Sequence, residues 1–163
     1  GAVGKTTEGA GATIHVSAGT YKERLWWPHS GASANEPITL TNNNNGDVIL
    51  DGVNATNNAQ NAMIAVSSRS YIRIDGIEIA NNIRSFASGI YVTGSGTDVQ
   101  VVNCNIYNIG WTADSTAFPS SSDNANPLVV VGTSATSYSQ IFIGDNEIFN
   151  CNTGYSEGLP LAL

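Results

Sequence analysis

Residues 72–81 read IRIDGIEIAN. Apolar side chains fall at Ile72 and Ile74, then at Ile77 and Ile79. Period-two alternation marks a strand with one buried face, and the break at Asp75-Gly76 resets it. The stretch therefore predicts two short strands joined by a bend. Three other segments superimpose on it without gaps: VILDGVNATN at 48–57, VQVVNCNIYN at 99–108 and IFIGDNEIFN at 141–150. Their starts are 24, 27 and 42 residues apart. A third strand is expected in each connection, at 63–66, 90–92 and 128–131. Earlier strands are expected at 13–16, 24–27 and 38–41. Three strands and three turns per repeat read as an all-β solenoid of three-strand coils.

The last position of the four units is Asn57, Asn81, Asn108 and Asn150. Apolar positions alone define the register, and asparagine supplies only 19 of 163 residues, so the shared column is informative. A turn position facing the interior leaves backbone groups unpaired. A stacked amide can satisfy them and bond its neighbours in the coils above and below. These four residues are read as a structural ladder, not as a chemical site.

Composition narrows the function classes. Charged residues make up 12% and hydrophobic ones 41%, too apolar a mixture for a disordered chain. No apolar run approaches the length that spans a bilayer, so no membrane insertion is expected. A net charge of −7 argues against an electrostatic grip on nucleic acid. Lysine occurs only at Lys5 and Lys22, and the apolar positions are largely Ile and Val, which favours strands over long helices. Cys104 and Cys151 fall in different columns, so two buried thiols are expected rather than a disulfide.

The opening stretch carries a resemblance. Residues 13–41 read TIHVSAGTYKERLWWPHSGASANEPITLT, and VILDG follows at 48–52. The pieces Ala18-Gly19-Thr20-Tyr21 with Glu23, Ser30-Gly31, Pro37-Ile38 and Asp51-Gly52 resemble bacterial right-handed parallel β-helix proteins of the pectate, alginate and chondroitin lyase type. The later repeats and residues 154–159 share the likeness. The resemblance implies a right-handed parallel β-helix over residues 1–163, a single domain of about five coils. It also implies secretion to the outside of a bacterial cell. Relative to that family, the chain reads as a segment lacking the usual N-terminal cap and the C-terminal coils.

The same resemblance implies a reaction. Lyases of this type abstract a proton beside a uronate carboxylate, using a basic side chain and often calcium to neutralise the carboxylate. Arg73 alternates with Ile72 and Ile74, faces solvent, and is the candidate base. Its other reading is an ion pair with a neighbouring carboxylate. Asp51 and Asp75 share a column in the repeat, one coil apart, and are the candidate calcium ligands. Their other reading is two Asp-Gly bends, each bonding its own backbone. The 42-residue spacing carries a long loop at 109–127, and loops on rigid scaffolds commonly bind ligands. Trp111 and Tyr107 are the candidate sugar platform, with Trp111 otherwise pinning the loop. Trp26 and Trp27 should split, one outward and one inward.

Two functions stay open from the sequence. One is a secreted protein that binds acidic polysaccharide or cleaves it by β-elimination. The other is a non-catalytic structural or adhesive solenoid whose copies stack end to end into extracellular filaments. Neither a Ser-His-Asp order nor a zinc-type cluster is present to support a hydrolase.

Overall fold

The computed structural model describes residues 7, 9–42, 44, 46–56, 61–114, 116–120, 123–132 and 135–153, and the backbone of 161–162. Among the described residues there is no helix. The described residues make fifteen strands, met three at a time. The first three are β1 (Ala12–His15), β2 (Gly19–Tyr21) and β3 (Leu25–Trp26). Next come β4 (Ile38–Thr41), β5 (Val48–Asp51) and β6 (Ala62–Ser67), then β7 (Ile72–Asp75), β8 (Glu78–Ala80) and β9 (Ser88–Thr93). β10 (Gly96–Val102), β11 (Asn105–Tyr107) and β12 (Asn126–Val131) follow, and β13 (Tyr138–Gly144), β14 (Glu147–Phe149) and β15 (Leu161–Ala162) close the series.

Every third strand joins the same sheet. The first sheet is β1-β4-β7-β10-β13, the second β2-β5-β8-β11-β14, and the third β3-β6-β9-β12-β15. Each of the strand pairings is parallel. The chain thus visits three parallel sheets in rotation, five times. Parallel neighbours need a crossover, and here the other two sheets supply it.

The core follows from this register. Ile38, Ile72 and Val99 stack in the first sheet, Leu50, Ile79 and Ile106 in the second, and Ile64, Ile90 and Leu128 in the third. All are buried and belong to one apolar cluster drawn from the three sheets. Burying such a side chain contributes roughly 1.5–3 kcal/mol. Trp27 is fully buried while Trp26 is 50% exposed, as the alternation expects.

The expected superposition holds for three of the four segments. Val99 pairs with Ile72 and with Ile141. Segment 48–57 stacks differently. Ile38 lies beside Ile72, and Leu50 lies beside Ile79 in the second sheet. The cause is the link at 42–47 between β4 and β5, where β7 and β8 are separated only by Gly76 and Ile77. VILDG and IRIDG each run a strand into an Asp-Gly turn, but at different corners. Asp51 therefore lies beside Ala80, and Asp75 beside Thr41 and Val102. The two carboxylates do not share a column.

The corners have a common backbone device. Gly76, Asn103 and Asp145 follow residues paired with one another, and all have positive φ (67°, 54° and 55°). Asn81, Asn108 and Asn150 do the same after the second sheet (57°, 54° and 52°). Left-handed backbone is disfavoured for L-residues, and Gly, Asn and Asp tolerate it best. At Gly76 a side chain would also meet the Asn42 amide, 2.9 Å from the would-be Cβ. The asparagine column is thus selected first by conformation. Its members are half-buried or exposed rather than interior. Asn108 Nδ2 donates to Asn81 Oδ1 at 2.9 Å, and Asn81 Nδ2 donates to Asp51 Oδ1 at 3.1 Å. Asn150 stands in register beyond Asn108, and Asn57 lies outside the described residues.

Candidate functional site

The outer face of the third sheet is hollow. One outward row runs Trp26, Ala65, Tyr91 and Val129 across β3, β6, β9 and β12. A second row, Ser67, Thr93 and Val131, flanks it on one side. A third row, Ala62, Ser88 and Asn126, flanks it on the other. Small side chains in β6 set the floor, and aromatic ones rise beside it. With Asn61, Phe86, Asn124, Val130 and Gly132, these residues line a groove of about 660 Å³. That is the size of a small-molecule or saccharide site.

The strand pattern explains the hollow. Met63 and Ile64 are both fully buried, so strict alternation breaks at the start of β6. Ala62 and Ala65 then face the groove as a low floor, each almost fully covered. Phe86 stands at the rim, 54% exposed, with a left-handed φ of 58°. A bulky side chain in that conformation is strained, and such strain gathers at functional sites.

A buried polar knot holds one wall. Asn82 is fully buried, and its Nδ2 donates to the carbonyls of Asn61 (2.6 Å) and Ser88 (2.9 Å). Its Oδ1 accepts from Nη1 and Nη2 of Arg24, each at 3.1 Å. Burial, and then the charge of Arg84, push the Arg24 guanidinium below its ordinary value. Asn61 and Ser88 both line the groove, so this amide fixes two points of its edge. Asn124 and Asn126 also line it, and each buries its Oδ1 without a partner. Among the described residues nothing uses this hydrogen-bonding capacity of their amides.

Among the described residues, no Asp, Glu, His, Lys or Arg side chain lines the groove. Aromatic faces, amides and hydroxyls dominate. That chemistry suits a neutral ligand with apolar faces and hydroxyl edges.

The residues singled out from the sequence lie elsewhere. Arg73 points outward from β7, where its Nε and Nη2 donate to Asp75 Oδ2 at 3.1 and 3.0 Å and its Nη1 donates to Gln100 Oε1 at 2.8 Å. Asp75 Oδ1 accepts from Asn103 Nδ2 at 2.8 Å. Asp51 Oδ1 accepts from Val53 N and from Asn81 Nδ2, both at 3.1 Å. Asp51 and Asp75 sit on different sheets, and Asp51 Oδ1 and both Asp75 oxygens accept from protein donors, so the pair does not fit calcium, which takes six to eight oxygens. Among the described residues no three His, Cys, Asp or Glu side chains group as a metal site.

Tyr107 and Trp111 each have partners within the chain. The Tyr107 ring stacks on Phe149, centroids 4.9 Å apart and 11° between planes. Its hydroxyl donates to Glu78 at 3.1 Å. Burial, and then that bond to Glu78, push the Tyr107 phenol above its ordinary value. Trp111 packs against the core, and its Nε1 donates to Asn152 at 3.0 Å. The loop reaches the groove through Asn124.

Cys104 is buried and Cys151 only half-buried, and both are free thiols. Burial pushes the Cys104 thiol up to about 11.

The groove escaped sequence reading because its floor is built from small residues in an apolar run, AMIAVS at 62–67. The available signal was Trp26 and Tyr91 at outward positions of the third strand in two repeats.

No family model matches the chain, and no solved structure matches it. Over 110 residues, 64% of the chain, it is 33% identical to the uncharacterized protein YwoF of Bacillus subtilis (strain 168). The matched stretch spans 23% of that protein, so the chain corresponds to about a quarter of this relative.

Proposed function

We propose that this chain is a right-handed parallel β-helix whose third-sheet groove binds a neutral polysaccharide without cleaving it. Rotation through three parallel sheets supports the helix, and the strong right-handed preference of parallel crossovers supports its hand. The likeness of residues 13–52 to secreted β-helix proteins supports an extracellular role. The observation that carries the function is the groove itself: aromatic and small apolar side chains in the middle, hydroxyls and amides at the edges, and no charged side chain among the described residues. Sugar rings have apolar faces and hydroxyl rims, which such a surface matches.

Acidic polysaccharide and β-elimination are less well supported. Among the described lining residues there is no cation for a uronate to meet and no base. Arg73 is held by Asp75 and Gln100 on the first sheet. Calorimetric titration with neutral polysaccharides and with pectate, alginate and chondroitin separates the readings. Binding of a neutral polymer, weakened by Tyr91→Ala and without ultraviolet product, is the expected result. Release of unsaturated uronate products would overturn it.

A further inference from the structure

We infer that the ligand is an extended, diequatorially 1,4-linked chain of neutral pyranoses, lying across the strands along the stacking direction. This deepens the proposal above and rests on it. The reasoning starts from the row Trp26, Ala65, Tyr91 and Val129. Adjacent members belong to hydrogen-bonded strands, so they are spaced about 4.8 Å apart. That is close to the advance of one ring in an extended β-1,4-linked chain. The row therefore offers four ring positions in a line.

Its members alternate between aromatic and small. Trp26 and Tyr91 are two strands apart, about 9.6 Å. In an extended β-1,4 chain, successive rings turn over, and every second ring presents the same face. An aromatic at every second position meets that repeat, and Ala65 leaves room for the ring between. A coiled α-linked chain would lift off a straight row.

The flanks fit the same ribbon. Equatorial hydroxyls project from both edges of such a chain, not from its faces. Ser67 and Thr93 lie along one side of the row, and Ser88 and Asn126 along the other. Each side thus has polar groups where the ribbon has hydroxyls, while the centre is apolar. Among the described residues the lining carries no charge, which selects against uronate and sulfated chains.

Three rings are the shortest ligand that spans Trp26 and Tyr91. Calorimetry with cello-, xylo-, manno- and chito-oligosaccharides of two, three and four rings, with maltotriose and maltotetraose alongside, reads this directly. At least one β-1,4 series should gain about tenfold or more in affinity from two rings to three. Trp26→Ala should abolish that gain. Trp26→Tyr should restore most of it. Trp26 is half exposed, and a melting curve on each variant checks its fold. Equal binding of the malto-series, or no gain at the third ring, would overturn the extended-ribbon inference and leave the neutral-glycan reading standing. Failure of every neutral oligosaccharide and polysaccharide to bind would overturn both.

Discussion

Replacing Asn82 by alanine removes two donors and one acceptor from a fully buried amide. The Asn61 and Ser88 carbonyls lose a donor, and the Arg24 guanidinium loses an acceptor in a buried setting. Such losses cost about 2–4 kcal/mol together. Chemical denaturation of Asn82→Ala should show a drop of that size. Phe86→Gly tests the opposite balance. Relief of a left-handed conformation returns about 1–2 kcal/mol, and the added chain entropy of glycine costs about 0.5–1 kcal/mol. Stability should stay within about 1 kcal/mol of the parent. Affinity for a neutral polysaccharide should fall severalfold, because the rim loses a half-exposed ring. An unchanged affinity would remove Phe86 from the site.

At the level of elements, the corner columns make a sharper test of register than the strands do. Asn103 has a φ of 54° and donates to Asp75 across the corner. Asn103→Ala loses the bond and strains the backbone, and should cost about 1–3 kcal/mol. Asn103→Gly loses only the bond and should cost about 1 kcal/mol less. Equal losses in denaturation would contradict the left-handed corner. Much of this was legible beforehand. IRIDGIEIAN marked the first and second sheets, and 63–66, 90–92 and 128–131 marked the third. The alternation of Ile and Val carries that signal because inward positions must be apolar and outward ones need not be. Segment 48–57 misled because two Asp-Gly turns at different corners look alike, and the link at 42–47 hides the shift between them. The β2 strand at Gly19–Tyr21 is too short to show a period. The groove was hidden for a related reason. Alternation breaks at Met63 and Ile64, so nothing in 62–67 distinguishes floor from core.

For the whole molecule, pH reports on burial across the stack. Burial pushes the Cys104 thiol from 9.0 to about 11. It likewise raises Cys151, Tyr138 and Tyr107 above their ordinary values. The unfolded chain then releases these protons first, so folded-state stability is full below pH 9.0 and falls as pH rises toward 11. For Cys104 alone the loss is about 2–3 kcal/mol once pH exceeds its folded value. Denaturation midpoints measured from pH 8 to pH 11 should fall, and Cys104→Ala should make the fall shallower. A flat profile would mean that the thiol is not buried as described.

Most directly, the groove can be mapped by backbone amide NMR as a neutral β-1,4-linked tetrasaccharide is added. The expected result is a set of shift changes centred on Trp26, Ala65, Tyr91 and Val129 and their strands in the third sheet, with the first and second sheets unmoved. Saturable changes centred instead on Arg73 and Asp75, or on Tyr107 and Phe149, would contradict the assignment of the site to the third sheet.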